Sequence, residues 1–263
     1  MRYQAISLFA LGAVACSYAQ ISFAGGTYSQ SFNSLASSGT NIPWTDNVTL
    51  PGWYMRRVDD VNGELADQYN AGTGSSNTGA VYSFGTDATD RALGSVASGS
   101  VEHAAYGVRL TNTSGQLINS VSITYTGEQW RNGGNTTPAQ HKLLFSYNVG
   151  GSTIGADTQT SGGIAGYGED PNFTRVQALD FTNPIDTPTA GALDGNLPAN
   201  RTVISGSFSV NWAPGQDLWV RWVDLNDPFN DHGLAIDDFS LTATPVPEPG
   251  TLAALALGAA AFA

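Results

Sequence analysis

The chain predicts an all-β fold, an antiparallel jelly-roll-like β-sandwich flanked by an N-terminal signal helix and a short C-terminal apolar helix. Three observations carry this. Between residues 20 and 243 the apolar residues fall in short runs of period two, turn formers separate the runs, and no stretch keeps a helical period for three turns. Ten to twelve strands with one apolar face each are satisfied most simply by two packed sheets. The length of 263 residues accommodates such a sandwich as one domain.

Taken in order, residues 1–19 read as a signal peptide. Arg2 is followed by the apolar run Ile6–Ala15 and then by Ser17-Tyr18-Ala19, a small-x-small cleavage site that places the cut after Ala19. Cleavage there removes Cys16, the sole cysteine, so the exported chain carries neither disulfides nor thiolate metal ligands. The domain at 20–243 must then be held by its core or by bound ions.

Within that domain, Val121, Ile123 and Tyr125 alternate with Ser122, Thr124 and Thr126; Leu143, Phe145, Tyr147 and Val149 alternate with Leu144, Ser146 and Asn148; Phe208, Val210 and Trp212 alternate with Ser207, Ser209 and Asn211. Further strands are expected at 27–33, 52–58, 79–84, 91–97, 104–111, 175–182, 217–224 and 233–242. Trp212, Trp219 and Trp222 fall inside these runs and read as core. The stretch 150–171 is rich in Gly, Ser, Thr and Asp and reads as a long loop.

Composition narrows the partners. Lys plus Arg is 10 against 22 for Asp plus Glu, a net charge of −12, which opposes binding to nucleic acid. The sequence contains no HExxH, GxSxG or P-loop motif. His103, His141 and His232 are too widely spaced to read as a zinc motif.

Two stretches carry candidate chemistry. Just past the strand expected at 117–126, Glu128, Gln129, Trp130 and Arg131 combine a flat ring with acid, amide and guanidinium groups, the mixture a sugar site needs. The same residues also fit a core tryptophan beside a local Glu128–Arg131 ion pair. The densest acidic run, Asp224–His232, is followed by Asp237 and Asp238. Asp231, Asp237 and Asp238 are the candidate ligands of a calcium ion, which takes six to eight oxygens. A plain solvated turn, or an ion pair of a buried Asp with Arg221, accounts for them equally. A carbohydrate-active enzyme using Glu128 and an Asp of 224–238 is the alternative to binding alone, and a purely structural matrix role is the third reading.

The segment 244–263 holds Pro247-Glu248-Pro249 followed by the apolar run Leu252–Ala263. It resembles the PEP-CTERM sorting signal of Gram-negative surface proteins. The resemblance implies transient membrane anchoring at this tail, processing by an exosortase-like protease, and a place on the cell surface or in an exopolysaccharide matrix, with polysaccharide or surface components as partners. Two features depart from that family: no Arg-rich cluster follows the run, and the run is about a dozen residues against the ~20 of a spanning helix. The stretches Tyr125–Gly133, Ala192–Asn196 and Asp231–Ser240 resemble a β-sandwich module of uncharacterised PEP-CTERM proteins, which implies fold and location only.

Overall fold

The computed structural model describes residues 20–59, 63–137, 140–154 and 170–246. The expected signal helix and the apolar tail from Pro247 onward lie outside the described residues, as does most of the loop expected at 150–171. In chain order the first strands are β1 (Ile21–Phe23), β2 (Gly26–Gln30), β3 (Ile42–Pro43), β4 (Trp53–Asp59), β5 (Gly63–Glu64), β6 (Gln68–Gly72), β7 (Ala80–Phe84) and β8 (Ala92–Val96). There follow β9 (His103–Asn112), β10 (Ile118–Asn132), β11 (Lys142–Val149), β12 (Thr174–Arg175), β13 (Phe181–Thr182) and β14 (Gly191–Ala192). The last three are β15 (Arg201–Trp212), β16 (Asp217–Leu225) and β17 (Gly233–Ala243). Two short 3₁₀ turns are the only helical elements among the described residues.

The strands form two sheets. One has the order β12-β11-β16-β9-β4-β5, with β1 beside β9 and β13 beside β11. The other runs β14-β10-β17-β8-β7-β6-β3, with β15 beside β10 and β2 beside β17. Pairing is antiparallel except for β1 with β9 and β6 with β7. From β8 to β11, and again from β15 to β17, successive strands alternate between the sheets. Their connections therefore cross the ends of the sandwich. The segments 97–102, 133–141 and 226–232 share one end, where the Asn226 amide donates to the Glu102 carbonyl at 2.7 Å; 113–117 and 213–216 share the other.

The inner faces interlock through aromatic rings. Trp222 of β16 lies parallel to Trp53 of β4 at 6.2 Å, and Phe239 of β17 stands perpendicular to both, at 5.4 Å and 5.7 Å. Phe145 and Tyr125 meet Trp222 edge-on at 5.4 Å and 5.1 Å. Trp212, Trp219 and Trp222, expected as core, are buried, and so are Trp44 and Trp53, which the sequence left open.

Several short strands (β1, β3, β5, β6 and β14) were not expected, β15 begins earlier than expected, and three further differences shape the core and the site. The strand expected at 175–182 is broken by a 3₁₀ turn at Gln177–Leu179. The first long strand stops at Gln30, because Phe32 adopts a φ of 56° and turns its ring into the core against Trp53. Most consequentially, β10 does not end near Thr126 but continues to Asn132, hydrogen-bonded to β17 and β14. Gly127 is not a strand terminator: the ring of Phe181 lies 2.3 Å from where a Cβ would stand, so only glycine keeps the strand and the ring together.

A bulge divides β17. Opposite β10, Thr124 faces Ser240 and Thr126 faces Asp237, which leaves one extra residue on β17. Leu234 and Ile236 before the bulge, and Phe239 and Leu241 after it, can then all face the core despite their opposite parity. β17 also exchanges neighbours there, from β8 at Gly233–Ile236 to β2 at Phe239–Ala243. Asp238 absorbs the distortion with a φ of 50° and is exposed. Asp238→Val places a β-branched residue in left-handed backbone and is expected to lose about 1–2 kcal/mol in denaturant unfolding, whereas Asp238→Gly is expected to lose none.

Candidate functional site

The continuation of β10 decides where Glu128–Arg131 go. Trp130 is 1% exposed and packs on the outer side of its sheet with Tyr82, Phe84, Val96 and Ala235, its ring parallel to Phe84 at 5.9 Å. The 193–200 segment closes over it, with Gly195 lying against the indole and the Leu193 amide donating to the Trp130 carbonyl at 2.8 Å. No ring face is open to a sugar, so the expected Trp130 platform is corrected to a core residue. Glu128 is buried beneath the same cover and accepts from Trp130 Nε1 at 2.9 Å, where a local pair with Arg131 had been the alternative. Gln129 is also buried; it exchanges hydrogen bonds with the Ile185 backbone in both directions at 2.7 Å and lies 3.2 Å from His232 Nδ1. Arg131 alone of the four reaches the surface, donating to the carbonyls of Gly74 and Ser75 at 3.2 Å.

Asp237 lies on the outer side with Glu128, two pairs removed along the β10–β17 ladder. Burial pushes the Glu128 carboxyl up to about 7 and the Asp237 carboxyl up to about 9, and the charge of Glu128 adds to the rise at Asp237. Asp90 and Asp238 act in the same direction, while Arg201 opposes at Glu128. Asp237 Oδ1 is buried without a hydrogen-bond partner. Arg221 is turned the other way, to the outer face of the opposite sheet, where it donates to Ser146 and the Ile154 carbonyl and stacks on Phe173.

At the end of the sandwich a cleft of about 390 Å³ opens between the 97–102, 133–141 and 226–232 segments. Its wall includes Asn77, Arg131, Asn226, Asn230, Asp231 and the ring of Phe229. Phe229 is 70% exposed and, among the described residues, is the one aromatic side chain of the large exposed apolar ones. The loop that presents it is strapped on both sides. Asn226 Nδ2 donates to Glu102 Oε2 at 2.7 Å, the Asn230 amide donates to Asn135 Oδ1 at 2.9 Å, and the Asp227 amide donates to Asp231 Oδ1 at 2.9 Å.

Below the cleft, His141, Asp227 and Asp231 offer ligand atoms that all lie within 4.8 Å of one another, a group able to hold a metal ion. Burial pushes Asp227 up to about 6 and Asp231 up to about 7, and pushes His141 down to about 4 with help from the neighbouring His232. The three carboxylates expected to share a calcium ion therefore do not converge. Asp231 belongs to this group, Asp237 to the Glu128 layer, and Asp238 to the exposed bulge. Two of the widely spaced histidines do meet: the His141 and His232 rings are 4.5 Å apart, while His103 opens β9 in the first sheet. In the sequence His141 reads only with His103 and His232, a set too widely spaced for a zinc motif, and Asp227 and Phe229 lie inside the acidic run without being named as ligands or contacts. The available signal was the pattern Asp227-Pro228-Phe229-Asn230-Asp231-His232, an aromatic between two acids in a turn.

No family model matches the chain, and no curated protein matches it. Among solved structures it is similar to the CBM22-1 xylan-binding domain from Paenibacillus barcinonensis Xyn10C, at 10% identity and a TM-score of 0.37, with 87% of this chain and 99% of that chain covered. It is similar also to the CBM22-1-CBM22-2 tandem domain from the same protein, at 12% identity and a TM-score of 0.37, covering 89% of this chain and 50% of that chain.

The Glu128 layer sets a pH dependence. Its two carboxyls hold protons in the folded chain that an unfolded chain releases at ordinary carboxylate values, so the folded state binds more protons between about pH 4 and 9. Stability from this layer is fully present below that window and falls as pH rises through it. In chelator-containing buffer, the melting temperature of Asp237→Asn is expected to decline less steeply from pH 5 to pH 9 than that of the parent chain; parallel declines would contradict the assignment.

Proposed function

We propose that this chain is an exported, non-enzymatic module that binds glycan or neighbouring surface components through the cleft around Phe229. The observation that carries the reading is an exposed ring on a strapped loop, set among planar amide, guanidinium and carboxylate side chains. A ring face stacks on the C–H face of a sugar, and planar polar groups meet its hydroxyls. The strapping lowers the ordering cost of binding. The scaffold is a jelly roll in this reading, its strands alternating between sheets so that the binding loops collect at one end.

The enzymatic alternative draws less support. Glu128 lies under Trp130 and the 193–200 cover, with its partner acid Asp237 in the same closed layer, so no substrate reaches the pair. The export reading rests on the signal-like first nineteen residues and the PEP-CTERM-like tail, with Pro247, Glu248 and Pro249 as the element read by an exosortase-like protease. Cleavage after Ala19 leaves Gln20 at the start of the chain, where its side chain accepts from the Tyr54 hydroxyl at 2.9 Å and donates to the Arg109 carbonyl. N-terminal sequencing of secreted material is expected to begin at Gln20; extracellular protein that retains Met1 would contradict this.

Binding is tested on a glycan array, with reducing-sugar release measured on each hit. Phe229→Ala is expected to abolish retention while changing stability by no more than about 0.5 kcal/mol. Trp130→Ala is expected to cost roughly 3–5 kcal/mol through the cavity it leaves. Sugar release would move the chain to the enzymes, and retention unchanged in Phe229→Ala would remove the cleft from the account.

A further inference from the structure

His141 Nδ1 lies 3.7 Å from Asp227 Oδ2 and 3.8 Å from Asp231 Oδ1. Both separations exceed a hydrogen bond. All three atoms present lone pairs: the two oxygens are carboxylate acceptors, and Nδ1 faces the backbone N–H of His232 at 3.4 Å, a donor, which leaves the imidazole proton on Nε2. That Nε2 is itself buried without a hydrogen-bond partner, in a side chain only 3% exposed. Among the described residues no lysine or arginine reaches either carboxylate within 4.0 Å. The donors that reach these atoms are backbone N–H groups, of Asp227 on Asp231, of Lys142 on Asp227 and of His232 on His141, and none of them neutralises the two carboxylates, so the half-buried group calls for a cation.

We propose that His141, Asp227 and Asp231 bind a divalent transition-metal ion of the zinc class. The donor set chooses the metal. One imidazole with two carboxylates suits zinc, whereas calcium takes a shell of six to eight oxygens that this group does not assemble. Tetrahedral ligands at ~2.0–2.1 Å from zinc stand ~3.4 Å apart, so the two nitrogen–oxygen spacings close by a few tenths of an ångström when the ion enters, and the oxygen–oxygen spacing closes from within 4.8 Å. His232 packs its ring against that of His141 at 4.5 Å and is itself fixed by the Gly133 amide, which donates to its Nδ1 at 3.0 Å. Three protein ligands leave a coordination position over, and Asp231 also lines the cleft. The bound ion ties the 226–232 loop to the start of β11. The assignment rests on this geometry and stands apart from what the cleft binds.

The test is titration of the full chain, first stripped with EDTA, with Zn²⁺, Ca²⁺ or Mg²⁺ chloride, read by calorimetry and by melting temperature. Zn²⁺ is expected to bind at one equivalent and to raise the melting temperature with the logarithm of its concentration above Kd; the other two ions are expected to do neither. Asp227→Asn and His141→Gln are expected to weaken Zn²⁺ binding by more than the roughly 10–100-fold that loss of a supporting partner costs. Should either variant fail to fold in EDTA, Co²⁺ in the parent chain supplies the second readout, as the visible absorption of a nitrogen and oxygen site of low coordination number. A colourless Co²⁺ complex, a stronger response to Ca²⁺ than to Zn²⁺, no Zn²⁺ binding, or Zn²⁺ affinity unchanged in a folded variant would each overturn the assignment.

Discussion

The packing of Trp222 against Trp53 and Phe239 is the contact on which the rest of the molecule depends. The described residues contain no cysteine, so the two sheets are held by side chains alone. Aromatic pairs in edge and stacked arrangements add about 0.5–1.5 kcal/mol each beyond the area they bury, and Trp222 takes part in several at once. A core built this way leaves the space between the sheets closed. Function is left to the outer surfaces and the two ends, and the long strands deliver their loops to those ends.

The bulge in β17 is the second constraint, and it follows from the first. Phe239 must face Trp222, yet Leu234 and Ile236 earlier in the same strand must face the same core at the opposite parity. One extra residue reconciles them. The consequence is chemical as well as geometric: Asp237 is directed to the outer side beside Glu128, and Asp238 to solvent. Two acids adjacent in sequence thus have opposite environments.

This also explains what was legible in the sequence. Short apolar runs between turn formers marked β4, β7, β8, β9, β11, β16 and β17 to within a residue or two; β7, β8 and most of β16 are buried on both faces, so the run itself and not a wet face carries the signal there. The end of β10 was not legible. Gly127 reads locally as a break, and only the ring of Phe181, more than fifty residues away in sequence, explains why glycine sits in mid-strand. From that one difference followed the reading of Trp130 as a surface platform. The grouping of His141 with Asp227 and Asp231 was hidden for a similar reason. His141 is some ninety residues from Asp231, and nothing local to either announces that the ends of β11 and β17 lie side by side. The acidic character of 224–238 was visible; its division into a loop group, a buried layer and an exposed bulge was not.

The proposed recognition belongs to the strapped loop at one end of the sandwich, with the sheets serving as scaffold. Hydrogen–deuterium exchange of the full chain, with and without the tightest-binding glycan of an array, tests this most directly. Added protection is expected in 226–232 and around Asn77, with amides of β4, β9 and β16 unchanged. Protection spread over a sheet face, or confined to the opposite end at 113–117 and 213–216, would contradict it.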